Sequence, residues 1–177
     1  MKNLTCPIPD NINPLQSNGF MFTINKLPSI SFFCQEANLP GLDLPKADFT
    51  SPLVNSGNPG DKLFFADLNI TFLVDEKMTN YKAIAEWMMA LGFPQSYDQY
   101  TSFIADRTDA LNTNEARAAV SDGVLQIMDS SNNVVQTITF IDMFPTSLSS
   151  LQLQTTSGDT NYLAGQASFV YTLYKFT

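Results

Sequence analysis

The chain has 177 residues, 44% of them hydrophobic and 12% aromatic, enough to bury a substantial core within one domain. Histidine is absent and cysteine occurs twice, as Cys6 and Cys34, which removes Ser-His and Cys-His nucleophiles, the commonest metal ligand and any thiolate zinc site. Seventeen acids against nine bases give a formal charge of −8, and the acids are scattered from Asp10 to Asp159, so most of the surface repels nucleic acid.

The start, MKNLTCPIPDNINP, lacks the basic first residues and apolar core of a secretory signal, and no apolar run approaches a membrane span. That predicts a chain folding in the cytoplasm where it is made. Pro7, Pro9 and Pro14 give residues 1–18 the character of an extended arm. Phe20 to Lys26 alternates with Phe20, Phe22 and Ile24 on one face, and Ile30 to Glu36 alternates with Ile30, Phe32 and Cys34 on one face. With Leu27, Pro28 and Ser29 as the turn, the two segments predict a hairpin. Within it Cys34 reads as a buried reduced thiol, a Cys6–Cys34 disulfide being the minor alternative.

Residues 40–62 hold Pro40, Pro45, Pro52 and Pro59 together with Gly41, Gly57 and Gly60. Such a density of breakers marks a long loop, with one irregular strand expected near Ala47 to Thr50. A period-two segment follows, with Leu68, Ile70, Phe72 and Val74 on one side. It gives way to helical spacing at Tyr81, Ile84, Trp87, Met88 and Leu91, with Gly92 to end the helix and Pro94 to stop it resuming. This is the one convincing long helix.

Pro94 to Ala119 is polar and mixed, with Tyr97, Tyr100, Phe103 and Ile104 as anchors and a short helix expected at Asn114 to Val120. Val124 to Met128 and Val134 to Ile141 flank DSSNN, a composition suited to a hairpin turn because Asn and Asp tolerate positive φ. Leu148, Leu151 and Leu153 predict a short strand after Pro145. The last segment, Gln166 to Phe176, reads as one strand with Ala167, Phe169, Tyr171 and Leu173 on one face and Val170, Tyr174 and Phe176 on the other.

Four of these stretches, in order, resemble the tail tube protein family of contractile-tailed bacteriophages, including the related baseplate tube initiators. They are NGFMFTINKLPSISFFCQEANLPG, NITFLVDEKMTNYKAIAEWM, FIDMFPTSLSSLQL and ASFVYTLYKF. The resemblance implies a mainly β fold with one flanking helix, an antiparallel β-sandwich or split barrel also used by the Hcp tube of type VI secretion systems. It implies a single domain over 1–177, no enzymatic activity and no cofactor. The implied partners are further copies of the chain in homohexameric rings stacked into a tube, the tail sheath, baseplate proteins and DNA passing down the lumen without specific binding. The implied location is the virion tail, after assembly in the host cytoplasm and with no membrane involved. The Pro-rich arm and the long loop leave tube subunit, initiator and terminator ring as alternatives.

Within that reading, a Pro- and Gly-rich loop gains little from its own fold, so Leu53, Val54, Asn55, Pro59 and Asp61 are expected to contact neighbouring subunits, as is the N-terminal arm. A DNA conduit favours polar or acidic walls, which nominates Asp67, Asn69, Thr71, Gln136 and Asp142 as lumen-facing. A lumen lined by Lys26, Lys46 and Lys62 would speak against a conduit.

Other constellations have plainer explanations. Asp75 and Glu76 stand before the helix, where acids cap and meet the helix dipole. Asp98, Asp106 and Asp109 lack the ligand order and central glycine of a calcium loop. The sequons at Asn3 and Asn69 are chance matches in a cytoplasmic chain, and the Trp87–Met88 stripe reads as core. The competing class is a monomeric β-sandwich binding module using exposed Tyr97, Tyr100 and Tyr162, with Tyr81 assigned to the helix core.

Overall fold

The computed structural model describes residues 14–50, 53, 55–92, 96–105, 119–155 and 162–177. In chain order, β1 (Phe20–Ile24) is followed by the short helix α1 (Pro28–Phe33) and β2 (Cys34–Ala37). Next come β3 (Leu42–Asp43), β4 (Lys46–Thr50), β5 (Asn55–Pro59) and β6 (Phe64–Phe65), then β7 (Leu68–Leu73) and the main helix α2 (Thr79–Gly92). After α3 (Asp98–Ala105) the chain closes with β8 (Ser121–Met128), β9 (Val134–Leu148), β10 (Ala164–Val170) and β11 (Leu173–Phe176).

Every strand pair is antiparallel. The main sheet runs β1-β8-β9-β10-β7-β2, with β11 joined to β9 beside that path. Its two end strands, β1 and β2, pair with β8 and β7 and not with each other, so the sheet stays open. Apolar alternation decides the inner face: Phe22, Ile24, Leu68, Ile70, Phe72, Leu125, Ile138, Phe140, Ala167 and Phe169 are all buried. Onto this core α2 lays Ile84 and Trp87, which lie one turn apart and are both wholly buried. The Trp87 ring sits 6.3 Å from that of Phe169.

The long strand β9 serves both halves of the sheet. Its first part pairs with β8 and β11, its last with β10. Between them Asp142 adopts φ 54°, the left-handed region, and its amide donates to the Asp122 carboxylate at 3.1 Å. The β8–β9 register shifts there, between Ser121 and Gly123, so a bulge turns the strand from one half to the other.

Several sequence expectations are corrected. The hairpin of Phe20–Lys26 with Ile30–Glu36 does not form, because Pro28 stands in the first turn of α1 instead of in a β-turn. Its fixed φ suits that position, and Ile30 then drops into the core from a helix. The strand near Ala47–Thr50 does form, as β4, but with β5 as partner. No separate strand begins after Pro145: β9 continues through Pro145 to Leu148, the proline sitting next to the register shift between Ser168 and Phe169. Leu151 and Leu153 lie beyond it, and Leu153 is exposed. The single last strand is two, since Tyr171 and Thr172 break it. That break resets the alternation, so Tyr174 joins Tyr171 in one aromatic cluster.

The β7-to-α2 passage and the β8–β9 hairpin match their expectations, and Asn132 in the DSSNN turn has φ 60°. Pro94, Cys6, residues 1–13 of the expected arm, and residues 114–118 of the expected helix lie outside the described residues.

Candidate functional site

The described residues between 40 and 66 build a projecting β-arm in two stages. The root is the ladder β3–β6, with Leu42 opposite Phe65, and the tip is β4–β5, with Lys46 opposite Pro59. A bond from the Gly60 amide to the Pro45 carbonyl, 2.7 Å, holds the stages together. All described residues from Gly41 to Pro59 whose side chains are placed are exposed. Among them Leu42, Leu44 and Phe49 are apolar, and Leu53 is 93% accessible.

A two-stranded ribbon alone is marginal in water. This one is gripped where it leaves the sheet. The Tyr171 hydroxyl donates to the Ala66 carbonyl at 2.8 Å, and the Tyr174 hydroxyl donates to the Pro40 carbonyl at 3.4 Å. Between the two phenols lies Phe65, with ring centroids 5.9 Å from Tyr171 and 5.5 Å from Tyr174. Phe140 backs the pair, 5.0 Å from the Tyr171 ring. Burial first, then the neighbouring Tyr174 and Asp67, push the Tyr171 phenol up to about 12, so it remains a protonated donor at neutral pH.

A second surface is the outer face of β2, β7 and β10. Because Leu68, Ile70 and Phe72 point inward, Asn69 and Thr71 point outward, opposite Ser168 and Gln166 respectively. Ser168 Oγ donates to Asn69 Oδ1 at 2.6 Å. Asn38 binds the edge of β7, its Oδ1 accepting from the Asn69 amide at 2.6 Å and its Nδ2 donating to the Asp67 carbonyl at 3.2 Å. With Glu36 these side chains line a shallow polar groove that contains one acid and no base.

The entry to α2 is a third cluster. Asp75 Oδ1 accepts from the Asn80 amide at 3.3 Å, and Oδ2 accepts from the Thr79 hydroxyl. The Thr79 hydroxyl foremost, with backbone amides, holds the Asp75 carboxyl below the usual carboxylate range. Asn80 is wholly buried, its Nδ2 donating to the Leu73 carbonyl at 2.7 Å and its Oδ1 accepting from the Tyr81 amide at 2.8 Å. Capping accounts for Asp75 completely. Tyr81 is half-buried and ties the helix to the end of β9, its hydroxyl donating to the Ser149 carbonyl at 2.9 Å.

Of the residues nominated for subunit contacts, Leu53 and Asp61 are exposed, Asn55 and Pro59 belong to β5, and Val54 lies outside the described residues. Of those nominated for a lumen, Asn69 and Thr71 share the polar face. Asp67 lies beside the arm root, and Asp142 at the kink of β9. Gln136 has the same side of β9 as Ile138 and Phe140, and its amide donates to the Thr177 carbonyl at 3.1 Å. Tyr97 and Tyr162 are exposed, whereas Tyr100 is half-buried. The sequence reading missed the Tyr171–Tyr174 grip and the Asn38 clasp, because their partners are backbone carbonyls and amides far away in the chain.

Among the described residues no three Cys, Asp or Glu side chains converge to hold a metal ion, and no helix is long and apolar enough to cross a membrane. Cys34 is a half-buried free thiol that burial pushes up to about 11.

A family model described as phage tail tube protein matches residues 3–177. Comparison with curated proteins finds no match. Among solved structures, the chain is similar to the anti-feeding prophage cap, a tube-terminating cap, with TM-score 0.63 and 15% identity over 99% of this chain and 98% of that one. It is similar to a chain of the PVC sheath–tube complex, an extracellular contractile injection system in its extended state, with TM-score 0.57 and 11% identity over 93% and 91%. A chain of the anti-feeding prophage baseplate gives TM-score 0.58 and 12% identity over 93% and 96%. At such identities the shared property is the fold: mainly β, antiparallel, with one main helix.

Proposed function

The chain belongs to the phage tail tube protein family, and from that premise we propose that six copies close into a ring, that rings stack into a tube, and that DNA leaves through its lumen during ejection. It is a structural component of the virion tail and not an enzyme. The observation that carries the reading is the family match over 3–177, nearly the whole chain.

Three features support the finer parts. The open sheet leaves β1 and β2 as edges, and an unpaired strand edge is a template for pairing with another copy. The polar face of β2, β7 and β10 carries no base, which suits a wall that DNA slides past, since each Lys or Arg bound to phosphate would add friction. The arm presents exposed apolar side chains, Leu42, Leu44, Phe49 and Leu53 among the described residues, which suits packing against a neighbouring copy. Tail sheath and baseplate proteins are the proposed further partners, with assembly in the host cytoplasm.

Electron microscopy of the purified chain at high concentration tests the proposal. Sixfold rings or stacked tubes are expected, and persistently monomeric particles would count against it. Labelling the subunit in intact particles separates the variants of the reading: signal along the whole tail means tube, and signal at one end means initiator or terminator ring.

A further inference from the structure

We infer that Tyr171 and Tyr174 are positioning residues for assembly: they form a two-point clamp that aims the β-arm so that its apolar tip meets a second copy of the chain. The inference rests on the reading of the arm as an inter-subunit element and adds to it the residues that set its direction.

The geometry is specific to the root. Pro40 precedes β3 on the leg entering the arm and Ala66 follows β6 on the leg leaving it, and each carbonyl receives one phenol. The two legs are tied to one another at the same level by the Ala66 amide donating to the Gly41 carbonyl at 3.1 Å. Phe65, the inward residue of β6, fills the space between the two tyrosine rings. Rotation of the arm about its root would therefore break at least one phenol bond and unseat one ring. Past Gly41, the described residues out to Pro59 whose side chains are placed are all exposed, so the root is where the arm is held.

Leverage makes this restraint matter. At about 3.3 Å per residue, the span from Gly41 to Thr50 is roughly 30 Å, so a swing of about 10° at the root displaces the tip by about 5 Å, more than a side-chain contact tolerates. A ribbon already held in its docking direction loses less freedom on association than one that must be oriented first. Replacing the phenols by phenylalanine removes the hydrogen bonds while keeping the rings, which separates aim from packing.

The test uses the full chain carrying Tyr171→Phe and Tyr174→Phe together, with Tyr174→Phe alone as the milder variant should the pair fail to fold. A third form replaces residues 46–59 with a two-residue Asn-Gly turn joining Pro45 to Gly60, whose amide and carbonyl already meet. Hydrogen exchange reads the arm root at the Ala66 amide against the β8–β9 core, and sedimentation reads the concentration at which assembly begins. The clamp predicts root exchange faster by about tenfold with core exchange unchanged, and assembly onset at about tenfold higher concentration. Unchanged root exchange, or a loosened root with unchanged assembly, overturns the clamp while leaving the arm reading intact. Normal assembly by the arm-shortened form overturns the arm reading itself, and the clamp's role with it.

Discussion

Trp87 and Ala119 meet across 32 residues: the indole N–H donates to the Ala119 carbonyl at 2.9 Å while the ring lies wholly buried against Phe169. One side chain thus fixes α2 on the sheet and also fixes where the chain re-enters it at β8. The Lys26 ammonium lies 5.5 Å from the same ring, adding a cation–π contact from the end of the β1 segment.

Replacing Trp87 by phenylalanine should destabilise the protein by about 2–3 kcal/mol, combining lost buried volume with a half-buried carbonyl left without its donor. Urea unfolding checks this. The midpoint should fall with an unchanged slope, and an unchanged midpoint would remove Trp87 from its anchoring role.

Asn80 is buried and makes hydrogen bonds through both ends of its amide, so Asn80→Ala should cost about 2–3 kcal/mol by stranding the Leu73 carbonyl and the amides of Asp75 and Tyr81. Asn80→Asp keeps the acceptor but loses the donor to Leu73, and should be similarly damaging. Thermal unfolding of the two variants distinguishes this from a tolerant surface position, where both would lie within experimental error of the parent.

Two carboxylates should make the fold more sensitive to acid. Asp75 is held low first by the Thr79 hydroxyl, and Asp129 first by the Asn133 amide and then that of Ser131 in the β8–β9 turn. Each folded value lies below the ordinary 3.8, so the stabilisation is present above 3.8 and is lost as pH falls from there through the lower folded values. Stability measured from pH 6 downward should drop less steeply in Asp75→Asn and Asp129→Asn than in the parent. Parallel curves would refute the assignment.

Gly123 and Gly41 offer a contrast in backbone tolerance. A Cβ at Gly123 would come 2.4 Å from the buried Met143 sulfur, so Gly123→Ala should destabilise by about 1–3 kcal/mol. Around Gly41 nothing lies within 4 Å and φ is not positive, so Gly41→Ala should be neutral or stabilising by about 0.5 kcal/mol. Equal melting temperatures for the two variants would contradict this packing.

The Cys34 thiol, pushed by burial from 9.0 to about 11, should resist alkylation in the native protein at pH 8 and react readily in urea. Because the folded value is the raised one, its contribution to stability is complete below pH 9.0 and declines as pH climbs toward 11. Peptide mapping after iodoacetamide treatment reads Cys34 separately from Cys6. Rapid native labelling at Cys34 would contradict the burial.

What the sequence disclosed follows the range of each signal. The β7-to-α2 passage and the β8–β9 hairpin are local, and their alternation, spacing and turn residues lie within one window. The expected Phe20–Glu36 hairpin failed because Pro28 suits a helix start as well as a turn, and only the distant partners of β1 and β2 decide between them. At Thr172 a bend set by the pairing of β11 with β9 reverses the alternation that seemed continuous. The polar face of Asn69 and Thr71 was legible as a face because β7 alternates cleanly. The arm was legible as an excursion with a strand near Ala47–Thr50, but the tyrosines that grip it were not, since their partners are main-chain groups more than a hundred residues away.

The same distant pairing governs what the chain must endure while it is being made. β1 has no partner in the sheet until β8 appears, with Phe20 waiting for Ile127. At ribosomal rates of about 5–20 residues per second, that is a delay of roughly 5–20 seconds during which Phe20, Phe22 and Ile24 have no sheet to join. β7 finds its second neighbour only when β10 emerges still later. Synthesis at reduced temperature, or with a chaperone that shields nascent apolar segments, should therefore raise the yield of soluble subunit more than any single stabilising substitution.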